Sequence, residues 1–282
     1  MPIGYTTLGM YNSFRPELWT PRVTRFFREK LYAANFFRDY SSDVMNADVV
    51  HIPHFEDTTT VETSIATTNG AVTGVTMNDT KTDLTVDTWE GAAVYITKFE
   101  EREIMKRPNV IDEYASYLGY RCGKNAETAI LANLTSLSSS TGDSAHTIYS
   151  TNIEQAFGIL ESYSVPREEC RIFIKPKIYW RQVMSIQKYY DASQFGRATL
   201  PFGVHDQLYG VNVTFTNCLT PGGLDAGTVI VHPGAVAFAM YGPDLTVTKG
   251  EDLRKKVIAD VMYGDVILQR KWGVQIHSSN SL

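Results

Sequence analysis

Between Val110 and Leu134 the same side of the chain recurs at every fourth position: Val110, Tyr114, Leu118, Cys122, Ala126, Ile130 and Leu134. Ile111, Ala115, Tyr117 and Ala129 widen that stripe, and Pro108 marks its start. The spacing predicts a helix over 109–134, a rod of about 39 Å at the helical rise per residue. A rod of that length is the size of a small domain and counts against an all-β module. The stripe is expected to be buried, so an arginine in place of Ala126 should misfold the chain.

The sequence supplies ample material to cover such a rod. Its 282 residues are 43% hydrophobic and 20% charged, enough for two domains or one large one without a disulfide or metal. Cys122, Cys170 and Cys218 are widely separated, which excludes a disulfide-stapled scaffold and CxxC chemistry and leaves three small buried thiols. No run approaches the ~18 apolar residues of a membrane span, so no membrane partner is expected. The start, MPIGYTTLGMYN, lacks the basic and apolar regions of a secretory signal.

Around the long helix the texture changes in blocks. Residues 1–19 are dotted with aromatics without a period and read as an extended arm. Thr20 and Pro21 then open a short helix whose apolar stripe is Val23, Phe26, Phe27, Leu31 and Ala34, with Arg22, Arg25 and Arg28 opposite. Val49–Pro53 reads as a strand closed by proline. Between Thr58 and Thr88, 12 of 31 residues are threonine, with the tight-turn pair Asn69-Gly70 inside and the alternation Leu84, Val86 near the end. This is a polar hairpin, too poor in apolar residues to stand alone, so it must pack on a partner surface.

Lys98–Arg107 reads as a shorter helix, and Ser136–Ser144 as a loop and domain boundary. From residue 150 helix and strand alternate: a helix with a Thr151/Glu154 capping box, a strand at Arg171–Ile174, and a helix over Ile178–Tyr190. Residues 191–210 show no clear element. Strands follow at Val211–Phe215 and Thr228–Val231, an apolar turn from Pro233 to Met240, and closing strands at Val257–Leu268 and Trp272–Ile276. The whole is α+β.

No catalytic template is present: GxSxG, a Walker loop, GxGxxG and HExxH are all missing. His51 and His54 are the nearest approach to a metal cluster, but three positions apart on a strand they face opposite ways. Glu100-Glu101 and Glu168-Glu169 are adjacent and read as solvated charge. Basic and aromatic residues interleave at Arg22–Arg38 and at Lys175–Arg181, where rings in a core and charges at its rim are the simpler account. No catalytic residue, cofactor or metal ligand is expected.

The net charge of −5 argues against a protein devoted to gripping phosphates. It is also local, because residues 51–97 hold one basic and seven acidic side chains while the rest nearly cancels. An arm, an amphipathic helix and an acidic hairpin all seek partners, and self-association through head-to-tail contacts would serve all three. Two other classes stay open: a decoration or tail-associated binding protein, and an enzyme with an unrecognised site in 150–240.

The order of these features resembles the major capsid proteins of tailed bacteriophages, the Hong Kong 97-type fold. Pro16-Glu17-Leu18-Trp19 with the helix running to Tyr40 is similar to that family's N-arm, and the hairpin 56–90 to its E-loop. The helix ending in Glu127–Leu134 (ETAILANL) resembles the spine helix of its P-domain, and 150–240 its inserted A-domain.

The resemblance implies a division into 1–50 (arm and short helix), 51–97 (E-loop hairpin and P-domain strand), 98–145 (spine helix), 146–242 (A-domain) and 243–282 (returning P-domain strands). It also implies hexamers and pentamers in an icosahedral shell around double-stranded DNA, assembled in the host cytoplasm. A separate scaffolding protein, a portal and decoration proteins would be its partners. Intersubunit contacts would fall to Trp19, Arg22, Arg25, Phe26, Phe27, Glu62, Asn69, Gly70, Asp79, Lys81 and Asp83. Lys81 is the single lysine of the hairpin, and covalent cross-linking through it is not expected.

Overall fold

The computed structural model describes residues 31–44, 49–55, 79–97, 109–186, 207–219, 226–249 and 254–279. The expected arm, the start of the first helix, most of the hairpin, the helix at Lys98–Arg107 and most of 191–210 lie outside them. The expected end of that first helix, Leu31 to Tyr40, is instead a turn leading into the strand Arg38–Asp39, which pairs with Ala237 and Phe238.

In chain order the elements are β1 (Arg38–Asp39), α1 (Ser41–Val44), β2 (Val49–Phe55), β3 (Asp79–Thr85), β4 (Thr88–Thr97), α2 (Asn109–Ala132), β5 (Ser139–Gly142) and α3 (Ser150–Ser162). They continue as β6 (Arg171–Ile174), α4 (Pro176–Arg181), β7 (Gln207–Leu208), β8 (Val211–Phe215), β9 (Ala226–Val231), β10 (Val236–Lys249), β11 (Arg254–Ile267) and β12 (Gly273–His277). Three sheets result: β1-β10-β11-β4, β5-β12-β9-β6-β8-β7, and the pair β2-β3. The mixture is α+β, as the sequence predicts.

Helix α2 lies on the four-stranded sheet. Leu118, Cys122 and Ala126 pack against Val257, Ala259, Val261 and Tyr263 of β11. One turn further on, Ile130, Leu131 and Leu134 join Val236 and Phe238 of β10. The Cys122 thiol donates to the Ala259 carbonyl at 3.3 Å, and burial pushes its pKa up. The stripe emerges from cover toward the helix start, where Tyr114 and Tyr117 are exposed.

The six-stranded sheet has apolar cover on both faces. Ile153, Phe157 and Leu160 of α3 and Ile178 and Tyr179 of α4 bury one side of β6, β9 and β12. Phe36, Phe37 and Phe173 cluster on the other, with ring centroids 5.0–6.0 Å apart.

Several expectations give way to tertiary pairing. The apolar run after Pro233 is a short 3₁₀ turn followed by β10, the longest strand with β11. It shows no alternation because both faces of its first half are covered. Ser139–Gly142 is an edge strand parallel to β12, where a loop was expected. The Thr151/Glu154 box does not form: Tyr149 occupies the cap without a side-chain bond, and Glu154 instead accepts from the Tyr209 hydroxyl at 2.7 Å. The helix from Pro176 stops at Arg181 and passes into a 3₁₀ turn at Val183–Ser185. β2 runs through Pro53 to Phe55. The closing strands part company: β11 belongs to the four-stranded sheet and β12 to the six-stranded one, between β5 and β9.

Candidate intersubunit surfaces

The stem β2–β3 is antiparallel, with His51 opposite Asp83 and Pro53 opposite Lys81. Its apolar face, Ile52 and Leu84, lies on Ala237 and Ala239 of β10, with Val44 closing the side. Gly264 of β11 makes room for the crossing: a Cβ there would stand 2.0 Å from the Thr85 carbonyl oxygen.

The other face of the stem carries charge. His51 Nδ1 lies 2.6 Å from Asp83 Oδ1, and Lys81 Nζ lies 3.5 Å from the same oxygen. Lys81 Nζ is also 3.3 Å from His51 Nδ1. Two donors cannot serve one another, so the ring nitrogen and the ammonium both turn to the carboxylate. The hydrogen bond from His51, aided by the charges of His51 and Lys81, holds Asp83 below the usual carboxylate range. His54 falls on the opposite side of the strand, as its spacing requires.

Of the residues expected at contacts, Lys81 and Asp83 are thus brought together on one exposed face. Asp79 stands opposite Phe55 at the far end of the stem. Trp19, Arg22, Arg25, Phe26, Phe27, Glu62, Asn69 and Gly70 lie outside the described residues.

Beyond the stem the same sheet face is bare. Trp89 pairs in register with Met262, Gly91 with Asp260, Ala93 with Ile258 and Tyr95 with Lys256. Trp89, Tyr95 and Met262 keep 69%, 58% and 41% of their surface. The Trp89 indole donates to Asp260 Oδ2 at 3.0 Å, and the Lys256 ammonium sits 5.6 Å from the Tyr95 ring centre. Beside the Trp89 ring lies a shallow trough of about 390 Å³ lined by Trp89, Glu90, Gly91, Thr246, Ile258 and Asp260. β4 is also the edge of its sheet among the described residues. Sequence reasoning missed this surface, although the alternation Trp89, Gly91, Ala93, Tyr95 against Glu90, Ala92, Val94, Ile96 was there to read.

The reading of Lys175–Arg181 as core rings with charged rim holds for Tyr179, which is buried, and fails for Trp180, which is exposed. Of the adjacent carboxylates, Glu169 is exposed yet pairs with the buried His232 at 2.9 Å. Glu127 on α2 is 2% exposed and accepts from the backbone N–H groups of Tyr32 and Ala33, each at 2.8 Å. Among the described residues no helix is long and apolar enough to cross a membrane.

A rod-like helix on one sheet, a second sheet threaded between its strands and a hairpin stem across its far face can be compared with solved structures. The capsid structure of the cyanophage P-SCSP1u matches with a TM-score of 0.74 over 98% of this chain and 96% of that one, at 15% identity. This chain has a phage-capsid fold. A structure from Mycobacterium phage Che8 matches at 0.77 over 94% and 97% of the two chains, at 19% identity. The asymmetric unit of the bacteriophage PhiM1 mature capsid matches at 0.71 over 95% and 93%, at 14% identity. Sequence comparison finds no matching family model and no matching curated relative. The likeness read from element order therefore stands at the level of fold, where spacing and topology persist after sequence identity has faded.

Proposed function

We propose that the chain is the structural subunit of an icosahedral phage shell of the Hong Kong 97 type. It self-assembles into hexamers and pentamers and encloses double-stranded DNA without reading its sequence. The observation that carries this reading is the likeness to capsid structures along nearly the whole of both chains. On this reading 1–50 is the arm, 51–97 the E-loop hairpin with its strand, 98–145 the spine, 146–242 the A-domain, and 243–282 the return. The six-stranded sheet draws on the last three of these, with β5 in 98–145, β6 to β9 in 146–242 and β12 in 243–282.

The chemistry is that of contact. The acidity of 51–97 sits on the element that must find a neighbour, where charge orients docking and opposes self-pairing of free hairpins. Trp19, Arg22, Arg25, Phe26 and Phe27 would serve the arm, and Glu62, Asn69, Gly70, Asp79, Lys81 and Asp83 the hairpin. Lys81 is held beside Asp83 on the exposed face of the stem, and the subunits join without covalent cross-links. A separate scaffolding protein, a portal and decoration proteins complete the particle, which assembles in the host cytoplasm and has no enzymatic activity or cofactor.

Negative-stain microscopy of the expressed protein, alone and with its scaffold, tests this. Capsomers, sheets or closed particles are expected; a strict monomer under every condition rejects it. Deleting Thr68–Val75 should leave a folded subunit that no longer assembles, read by an unchanged denaturation midpoint and loss of particles. Normal shells from the deleted protein would remove the intersubunit role of the hairpin.

A further inference from the structure

The described chain passes between the α2 side and the six-stranded sheet three times: at 137–138 into β5, at 232–235 from β9 to β10, and at 268–272 from β11 to β12. The three crossings are bonded to one another. Ser138 N donates to the Arg270 carbonyl at 3.0 Å, and His232 N to the Trp272 carbonyl at 2.9 Å. Leu268 N and Gln269 N both donate to the Ala235 carbonyl, at 2.8 and 3.2 Å. Gly234 lets the second crossing touch the third: a Cβ there would stand 2.6 Å from the Trp272 ring.

His232 sits inside this joint, 8% exposed. Its Nδ1 accepts from Gly234 N–H at 3.1 Å, so that nitrogen carries no proton. Its Nε2 therefore holds the ring proton and donates to Glu169 Oε2 at 2.9 Å. The Trp272 ring closes edge-on over the imidazole at 5.2 Å.

We propose that His232 is a proton-operated latch on the joint between the two sheets. The neutral ring ties the 233–235 turn down through Gly234. A second ring proton on Nδ1 would face the Gly234 N–H donor at the same short distance, so that hydrogen bond is lost. The imidazolium stays with Glu169, and the turn gives way. Because the Ala235 carbonyl holds Leu268 and Gln269, release of the turn loosens the third crossing too.

The charges around the ring leave this balance to Glu169. Arg171, whose strand flanks β9, places its guanidinium 4.6 Å over Phe36. Lys271 places its ammonium 5.7 Å over Tyr163, and Arg270 is exposed. The neighbouring Cys170 thiol is pushed up to about 11 by burial and by Glu169, so it stays neutral throughout. The latch belongs to the single folded chain and does not depend on shell assembly.

Hydrogen exchange of the full chain, with each amide rate divided by its unstructured rate at that pH, tests the latch between pH 8 and about pH 5, where imidazoles titrate. Protection of Gly234, Leu268 and Gln269 should fall at least about tenfold on acidification, in step with the imidazole's NMR titration, while α3 amides hold; tenfold corresponds to about 1.4 kcal/mol. In His232→Gln the step should vanish. Glu169→Gln, an exposed change that spares the fold, should move the step to lower pH, because the carboxylate no longer favours the imidazolium. A flat profile in the wild type, the same step in His232→Gln, or an unmoved step in Glu169→Gln would each overturn the proposal.

Discussion

On the α2 side of the four-stranded sheet, Val257, Ala259 and Val261 are all but closed to solvent, whereas across the same strands Trp89, Tyr95 and Met262 stand in water. The helix covers one face along β11, leaving Leu245 and Val247 near the end of β10 exposed. The hairpin stem covers only the near part of the other, where Leu84 and Ile52 meet Ala237 and Ala239. Exposed aromatic side chains gathered on one sheet face, here interspersed with Asp260 and Lys256, mark a candidate contact surface. The first face holds the chain together, and the second is a candidate contact surface.

That contrast can be broken at its strongest point first. Ala126→Arg puts a charge between α2 and β11, where Ala126 is 1% exposed. It should cost on the order of 5 kcal/mol or more and abolish the cooperative denaturation transition. Leu84→Ala should cost about 2–5 kcal/mol by emptying the contact under the stem. Its signature would be loss of hydrogen-exchange protection in β2–β3 beyond that in α2; equal losses in both would mean that stem and sheet form one unit.

A smaller effect follows from Asp265, at the end of β11 nearest the stem. Burial, the largest cause, raises its carboxyl pKa, against the hydrogen bond donated by Asn133, with the charge of Asp87 also raising it. The fold therefore favours the protonated form. The stability this lends is full below the ordinary carboxylate pKa and is lost as pH rises through the raised value. Asp265→Asn should remove that decline, so the denaturation midpoints of variant and wild type should diverge with rising pH. Parallel profiles would show that the carboxylate is fully relaxed. The smallest effect on folding should come from Trp89→Ser, about 0.5 kcal/mol at most by denaturation midpoint. If the bare face is used between subunits, the same change should cut particle yield severely; unchanged yield would mark the face as unused.

The division between the two faces also explains what could be read from sequence. The α2 stripe was legible because a helix covered on one side must repeat near 3.6, and Leu118, Cys122, Ala126 and Ile130 do. β10 was not, because Val236–Met240 lies between α2 and the stem and has no polar side to alternate with. β5, Ser139–Gly142, was not, because an edge strand of serine, threonine and glycine owes its pairing to β12 alone. In the candidate surfaces Lys81 and Asp83 were legible as hairpin residues, and the structure brings them together on one face. The partner His51 comes from thirty residues earlier through the stem register, which no local pattern encodes.

Glu127 gives the long helix a mechanical office besides its packing. Its carboxylate holds two successive backbone amides at Tyr32 and Ala33, and a Cβ on Gly123, one turn earlier, would stand 3.2 Å from the Leu31 side chain. A pull on Leu31 is therefore delivered sideways to the C-terminal half of α2, and the helix takes the load as a beam.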